Sequence, residues 1–201
     1  MWRHPIIKLL AAIYVAWGAW SWYLDRPVRA PDGVLAPAEP LQVDVHDGES
    51  LRTAGWTLRV RAHYTISARV LGLQRYRFDA LSKLIPEDLA LGWGPMSDNA
   101  ILNKVEISQS NRFYYWHVAN FEAISREAII AHSANTHVIP ENAYVARELS
   151  RLRRGQVVTL TGDLVDAARD DGFRITTSMQ RTDTGAGACE VMLVREVAVE
   201  P

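Results

Sequence analysis

The sequence predicts an α+β, mostly β fold: a closed or nearly closed antiparallel barrel with one main helix, behind a single N-terminal transmembrane helix. Three observations carry this. Residues 57–66 alternate strictly, placing Leu58, Val60, Ala62, Tyr64 and Ile66 on one face, the period of a half-buried strand. Further β-like stretches follow at short intervals, giving at least six strands against one good helix, the pattern of a sheet curled on itself. Residues 6–24 form an apolar run broken only by Lys8.

That apolar run spans roughly 28 Å as a helix, close to the hydrocarbon thickness of a bilayer. Lys8 is near enough to one end to snorkel, and Trp20, Trp22 and Tyr23 sit where aromatic rings settle at the headgroups. Arg3, Lys8 and the terminal amine precede the run, which predicts a cytoplasmic N-terminus and a periplasmic remainder at the bacterial inner membrane. The bulky residues Trp, Ser, Trp and Tyr after the apolar stretch do not suit a signal-peptidase site. Residues 1–24 are therefore expected to be an anchor.

Residues 25–40 contain Pro27, Pro31, Pro37 and Pro40, a density that favours an extended tether. The domain is expected over 41–201. Its predicted strands are 57–66, 68–78, 112–118, 128–131, 156–165, 173–179 and 189–199. Residues 84–105 read as loops and short helices. A helix is expected over 141–153, between Pro140 and Gly155.

Hydrophobic residues at 48% suffice for a core, and the net charge of −1 excludes a protein that grips nucleic acid chiefly through phosphates. One cysteine, Cys189, rules out an intrachain disulfide. No spacing calls for a metal or a cofactor: His132 and His137 are five apart, not the four of a zinc-binding helix.

Three stretches carry candidate sites. Residues 132–140, small and polar with two histidines, read as a loop in which His132 or His137 serves as a base and Asn135 binds a ligand or holds a turn. Residues 181–190 bring Asp183, then Gly185 and Gly187, to the entrance of a strand opened by Cys189, a nucleophile if a histidine favours its thiolate. Residues 91–98 hold Trp93 between glycines, where it lines a groove with Tyr114, Tyr115 and Trp116 or fills a core.

The motifs at 132–140 and 183–190, behind an N-terminal anchor, resemble those of anchored envelope proteins of Gram-negative bacteria. The order His, Cys, Arg is also similar to sortases, anchored β-barrel transpeptidases. That resemblance implies His132 or His137, Cys189 and Arg195 as catalytic residues, although Ala186-Gly-Ala-Cys189 replaces the family's Thr-x-Thr-Cys. Residues 155–165 resemble strands of small OB-type ligand-binding barrels. The expectation is a non-catalytic, membrane-anchored periplasmic module. It would touch the bilayer through residues 6–24 and bind an envelope protein or small ligand with loops 91–98, 132–140 and 181–189. The alternative is a cysteine-dependent hydrolase or transpeptidase.

Overall fold

The alternating run does not stop at Ile66: no turn residue interrupts it, and strand β3 continues from Trp56 to Arg75. A computed structural model describes the backbone of residues 5–24 and 26–200, and the side chains of 6–19 and 26–200. At twenty residues β3 bends at register shifts between Val60 and Ala62 and between Val70 and Gly72, which lets it pair with several neighbours. It pairs with β4 (Glu87–Gly92), which pairs with β7 (Ser133–Pro140), then β10 (Glu190–Val199), then β8 (Val157–Arg169). Strand β8 returns to β3, closing a ring of five strands. Short strands β1 (Leu41–Asp44) and β2 (Ser50–Thr53) pair with β3, and β9 (Arg174–Ile175) pairs with β8.

The expected all-antiparallel arrangement is corrected at one seam, where β7 and β10 run parallel. A ring with an odd number of strands cannot alternate direction all the way round, so one like-directed pair is unavoidable. The chain makes it by crossing from β7 through helix α4 (Ala143–Ser150) to β8 before entering β10. Asn142 caps α4 by accepting from the amides of Tyr144 and Val145, and Val145 and Leu149 pack into the main core with Leu160, Leu164 and Met192.

A separate hairpin, β5 (Val105–Ser110) and β6 (Phe113–Val118), lies over the outside of β3, β4 and β7. Small residues make room for it: a side chain on Gly72 would meet Gln109 Oε1 at 2.6 Å, and Ala90 is the neighbouring position on β4. Beneath the hairpin, Leu71, Ala90, Met96, Val105 and Ile129 form a third apolar cluster.

Residues 128–131, expected as a strand, belong to helix α3 (Arg126–Ala131), whose start is fixed by Ser125 accepting from Ala128 N. Residues 133–140, expected as a loop, are strand β7. Small polar residues there suggested a turn, but they alternate across a buried sheet. Residues 87–92, expected as irregular, form β4 with every residue buried.

The proline-rich stretch, expected as an extended tether, is laid against the domain. Leu35 N and Ala36 N donate to Ser97 Oγ, Gly94 N donates to Ala36 O at 2.7 Å, and Val28 N donates to Arg154 O at 2.7 Å. Helix α1 (Pro5–Leu24) precedes it, with the side chains of residues 6–19 facing solvent on every side. Among the described residues no helix is long and apolar enough to cross a membrane. The side chains of Arg3, Trp20, Trp22 and Tyr23, invoked for topology and for an aromatic belt, lie outside the described residues.

Candidate active site

Strand register assembles the site. Residues paired across a sheet project to the same face, and β4 sets Asp88 opposite His137 and Ala90 opposite Asn135. In the parallel pair, Glu190 lies opposite Thr136, which brings Cys189, one residue earlier, alongside Asn135. Asp88, Asn135, His137 and Cys189 thus meet on the outer face of the ring, at the edge of the β5–β6 hairpin.

His137 Nδ1 lies 2.7 Å from Asp88 Oδ1. The Asp88 side chain is sealed from solvent at 1% exposure, and that of His137 is 12% exposed. Cys189 lies near enough to the imidazole to favour its charged form. Burial alone would lower the pKa of His137, but the bond to Asp88 and the nearby Cys189 outweigh it and push the ring up to about 9. At neutral pH the ring is an imidazolium, with a carboxylate on one side and a thiol on the other.

Arg112 fixes Asp88 from the hairpin. Asn111 and Arg112 both hold positive φ, 50° and 66°, in the two-residue turn between β5 and β6. A non-glycine residue in that region needs compensation, and Arg112 has it. Its guanidinium donates to Asp88 Oδ1 at 3.2 Å, to Asp79 and to Ile85 O, and it stacks 3.9 Å from the Tyr76 ring centroid. Its backbone amide donates to the Tyr76 hydroxyl.

Asn135 ties hairpin and ring together. Its Nδ2 donates to Arg112 O at 3.1 Å and lies 3.5 Å from Cys189 Sγ, while its Oδ1 accepts from Gln109 Nε2 at 3.0 Å. Cys189 and Asn135 open onto a cavity of about 290 Å³ walled by Phe113, Tyr115 and Trp116 on one side and by Asp183 and Thr184 on the other. Asp183 is oriented by the Ser178 hydroxyl, which donates to it at 2.7 Å.

Of the expected site residues, the structure brings together His137, Asn135, Asp183 and Cys189. Trp93 lines no groove: it is fully buried, with its indole N–H on Glu39. Residues 132–140 and 181–189 meet across the parallel β7–β10 pair, and 91–98 touches the start of the first of them, Leu91 and Gly92 pairing with Ala134 and Ser133 while Ser97 packs under residues 35–36. His132 belongs to the end of α3, its Nδ1 2.8 Å from Ala128 O and its Nε2 3.5 Å from Glu39. Arg195 lies six residues along β10 from Cys189, about 20 Å of extended chain, where it binds Asp163 and Glu141. The sortase-like trio is therefore not assembled. Asp88, Arg112 and Gln109 were missed. The available signal was the pair Glu87-Asp88 inside the apolar run 84–91, since buried carboxylates are rare unless they have partners.

No metal-ligating cluster occurs among the described residues. Comparison of the chain with known protein families, characterised proteins and solved structures finds no match.

Proposed function

We propose that the chain is a cysteine-dependent acyl-transfer enzyme, a hydrolase or transpeptidase, with Cys189 as nucleophile, His137 as acid and base, and Asp88 orienting His137. The observation that carries it is the Asp88–His137 pair at 2.7 Å on the same face of the sheet as Cys189, which opens onto the cavity beside Asn135. Cationic imidazole beside a thiol favours the thiolate, and a buried carboxylate behind it fixes the ring's tautomer and orientation. The thiolate adds to the substrate's carbonyl carbon, and the Asn135 carboxamide, beside Sγ, donates to the oxyanion. His137 protonates the leaving amine or alcohol as the tetrahedral species collapses to a thioester. It then takes a proton from water or an acceptor amine, which attacks the thioester and releases Cys189. The cavity's aromatic wall suits an apolar acyl or aromatic group.

We read the five-strand ring as a small barrel of the OB kind, in which the face of the second and third strands takes ligands. Strands β4 and β7 hold those places here. We further infer that α1 engages a lipid bilayer and holds the domain at the periplasmic side of the inner membrane. Its support is the continuous apolar surface, with Ile6 69% and Tyr14 72% exposed, which water does not tolerate.

The test is kinetic. Iodoacetamide should alkylate native Cys189 faster than free cysteine at pH 7, and His137→Ala should slow it at least about tenfold. Hydrolysis of p-nitrophenyl esters should vanish in Cys189→Ala and fall about 10²-fold or more in His137→Ala. A thiol no faster than free cysteine, together with full esterase activity in Cys189→Ala, would leave a non-catalytic binding module as the reading.

A further inference from the structure

On the β5 side of the hairpin, away from the thiol, two cavities of about 470 and 240 Å³ share Leu71, Ile107 and Arg154 and form one cleft. Its walls hold Arg69, Arg75, Arg153 and Arg154 and not one aspartate or glutamate. In a chain with a net charge of −1, four cations gathered without a carboxylate among them are a local excess. Arg75 is matched by Glu87 from behind, at 3.2 Å. Arg69, Arg153 and Arg154 make no ion pair among the described residues.

Arg69 is the unusual member. It is 7% exposed, and its guanidinium donates to Ser97 O at 3.1 Å, one of five N–H donors, the others being available to a group in the cleft. Burial and the neighbouring Arg154 both work against its charge, and only Asp98 supports it. Asp98 is itself occupied, with Oδ1 accepting from Gly33 N and Ala100 N. A buried guanidinium with no carboxylate in salt-bridge contact, and with a second guanidinium as its neighbour, is stabilised by an anion that bridges them. Asn99 and Asn103 line the same lobe.

We propose that this cleft is a phosphate-binding site in which Arg69 and Arg154 grip one phosphate group, with Arg153 adding charge from the adjoining lobe. Planar guanidinium forks match phosphate oxygens in pairs, and a phosphate offers enough oxygens for more than one fork, which a single carboxylate does not. Two sources present that chemistry, a lipid headgroup and a free phosphate compound. The position of the cleft bears on the choice: Pro27 and Val28, within four residues of the end of α1, line the same lobe, and Val28 N bonds Arg154 O. An embedded α1 brings the cleft to headgroup level. The lipid source rests on that reading of α1; the phosphate site does not.

The full chain in detergent micelles should melt at a higher temperature when inorganic phosphate replaces chloride at constant ionic strength, and the shift should vanish in the Arg153→Ala/Arg154→Ala double variant. In parallel, binding to vesicles of phosphatidylcholine is compared with binding to vesicles containing one third phosphatidylglycerol. A headgroup ligand gives about tenfold tighter binding to the anionic vesicles, several-fold per arginine, lost in the double variant. A phosphate-dependent melting shift with no vesicle preference assigns the site to a soluble phosphate compound. No binding to either vesicle removes the membrane reading while the melting arm still decides the site. Should the double variant melt low without ligand, Arg154→Gln alone serves in both arms. The absence of both the phosphate shift and the lipid preference in the wild-type chain overturns the proposal.

Discussion

Asn135 bonds the Arg112 carbonyl, the Gln109 carboxamide and the edge of the Cys189 sulfur from a position that is 5% exposed. Asn135→Ala strands those groups and should cost about 1–3 kcal/mol in urea unfolding. Its loss should also depress ester hydrolysis beyond what the stability change explains. Nearby, the Glu190 side chain is sealed in, with Oε2 unpartnered, and burial, reinforced by Asp183, pushes its carboxyl up to about 8. Both Glu190 and His137 therefore bind protons more tightly folded than unfolded, so each contribution is present at low pH and lost as pH rises. For Glu190 the loss runs from its ordinary value near 4.5 to about 8, and for His137 from 6.5 to about 9. Unfolding midpoints should fall steadily between pH 5 and pH 9. Glu190→Gln should flatten the lower part of that decline and leave the variant more stable than the wild type at pH 9. A midpoint that rises with pH would contradict both assignments.

At the level of elements, the site depends on a hairpin seated on a strand pair. Two glycines separate local from global damage. At Gly162 in β8 a side chain would meet Leu193 O at 2.0 Å, backbone that cannot move without breaking the β8–β10 pairing. At Gly72 the first obstacle is the mobile end of Gln109. Gly162→Ala should cost more than about 3 kcal/mol and Gly72→Ala about 1 kcal/mol, measured by thermal melting. Gly72→Ala should nevertheless slow alkylation of Cys189, because Gln109 is the residue that holds Asn135.

For the whole molecule, the proposed membrane engagement of α1 and the folding of the domain separate. The described side chains of α1 face solvent, whereas residues 28–36 bond the segments 94–98 and 154 that connect the ring strands. A chain beginning at residue 26 should keep its melting temperature within about 2 °C, a surface-scale change, and move from the membrane fraction to the soluble fraction. A chain beginning at residue 41 should instead lose several degrees, since Ala36 and Pro40 are buried against the domain. Equal melting temperatures for the two truncations would show that the proline-rich stretch contributes nothing to the fold.

The period-two pattern of residues 57–66 determined the first half of β3, and Pro140 and Gly155 bounded helix α4, because local geometry writes itself into spacing. Sequence also singled out His137, Asn135, Asp183 and Cys189, the chemically unusual residues in two short stretches. It misplaced residues 133–140 as a loop, since small polar residues that alternate across a buried sheet look like turn formers until their partners are known. It left Asp88 and Arg112 unseen. Asp88 becomes a partner of His137 only when β4 and β7 pair in one register, and Arg112 reaches Asp88 only when the hairpin folds over that pair. Closing five strands into a ring forces one parallel pair, and the path of the chain through α4 and β8 puts it at β7–β10, where it brings Cys189 to Asn135. That is a constraint on the whole sheet which no single segment contains.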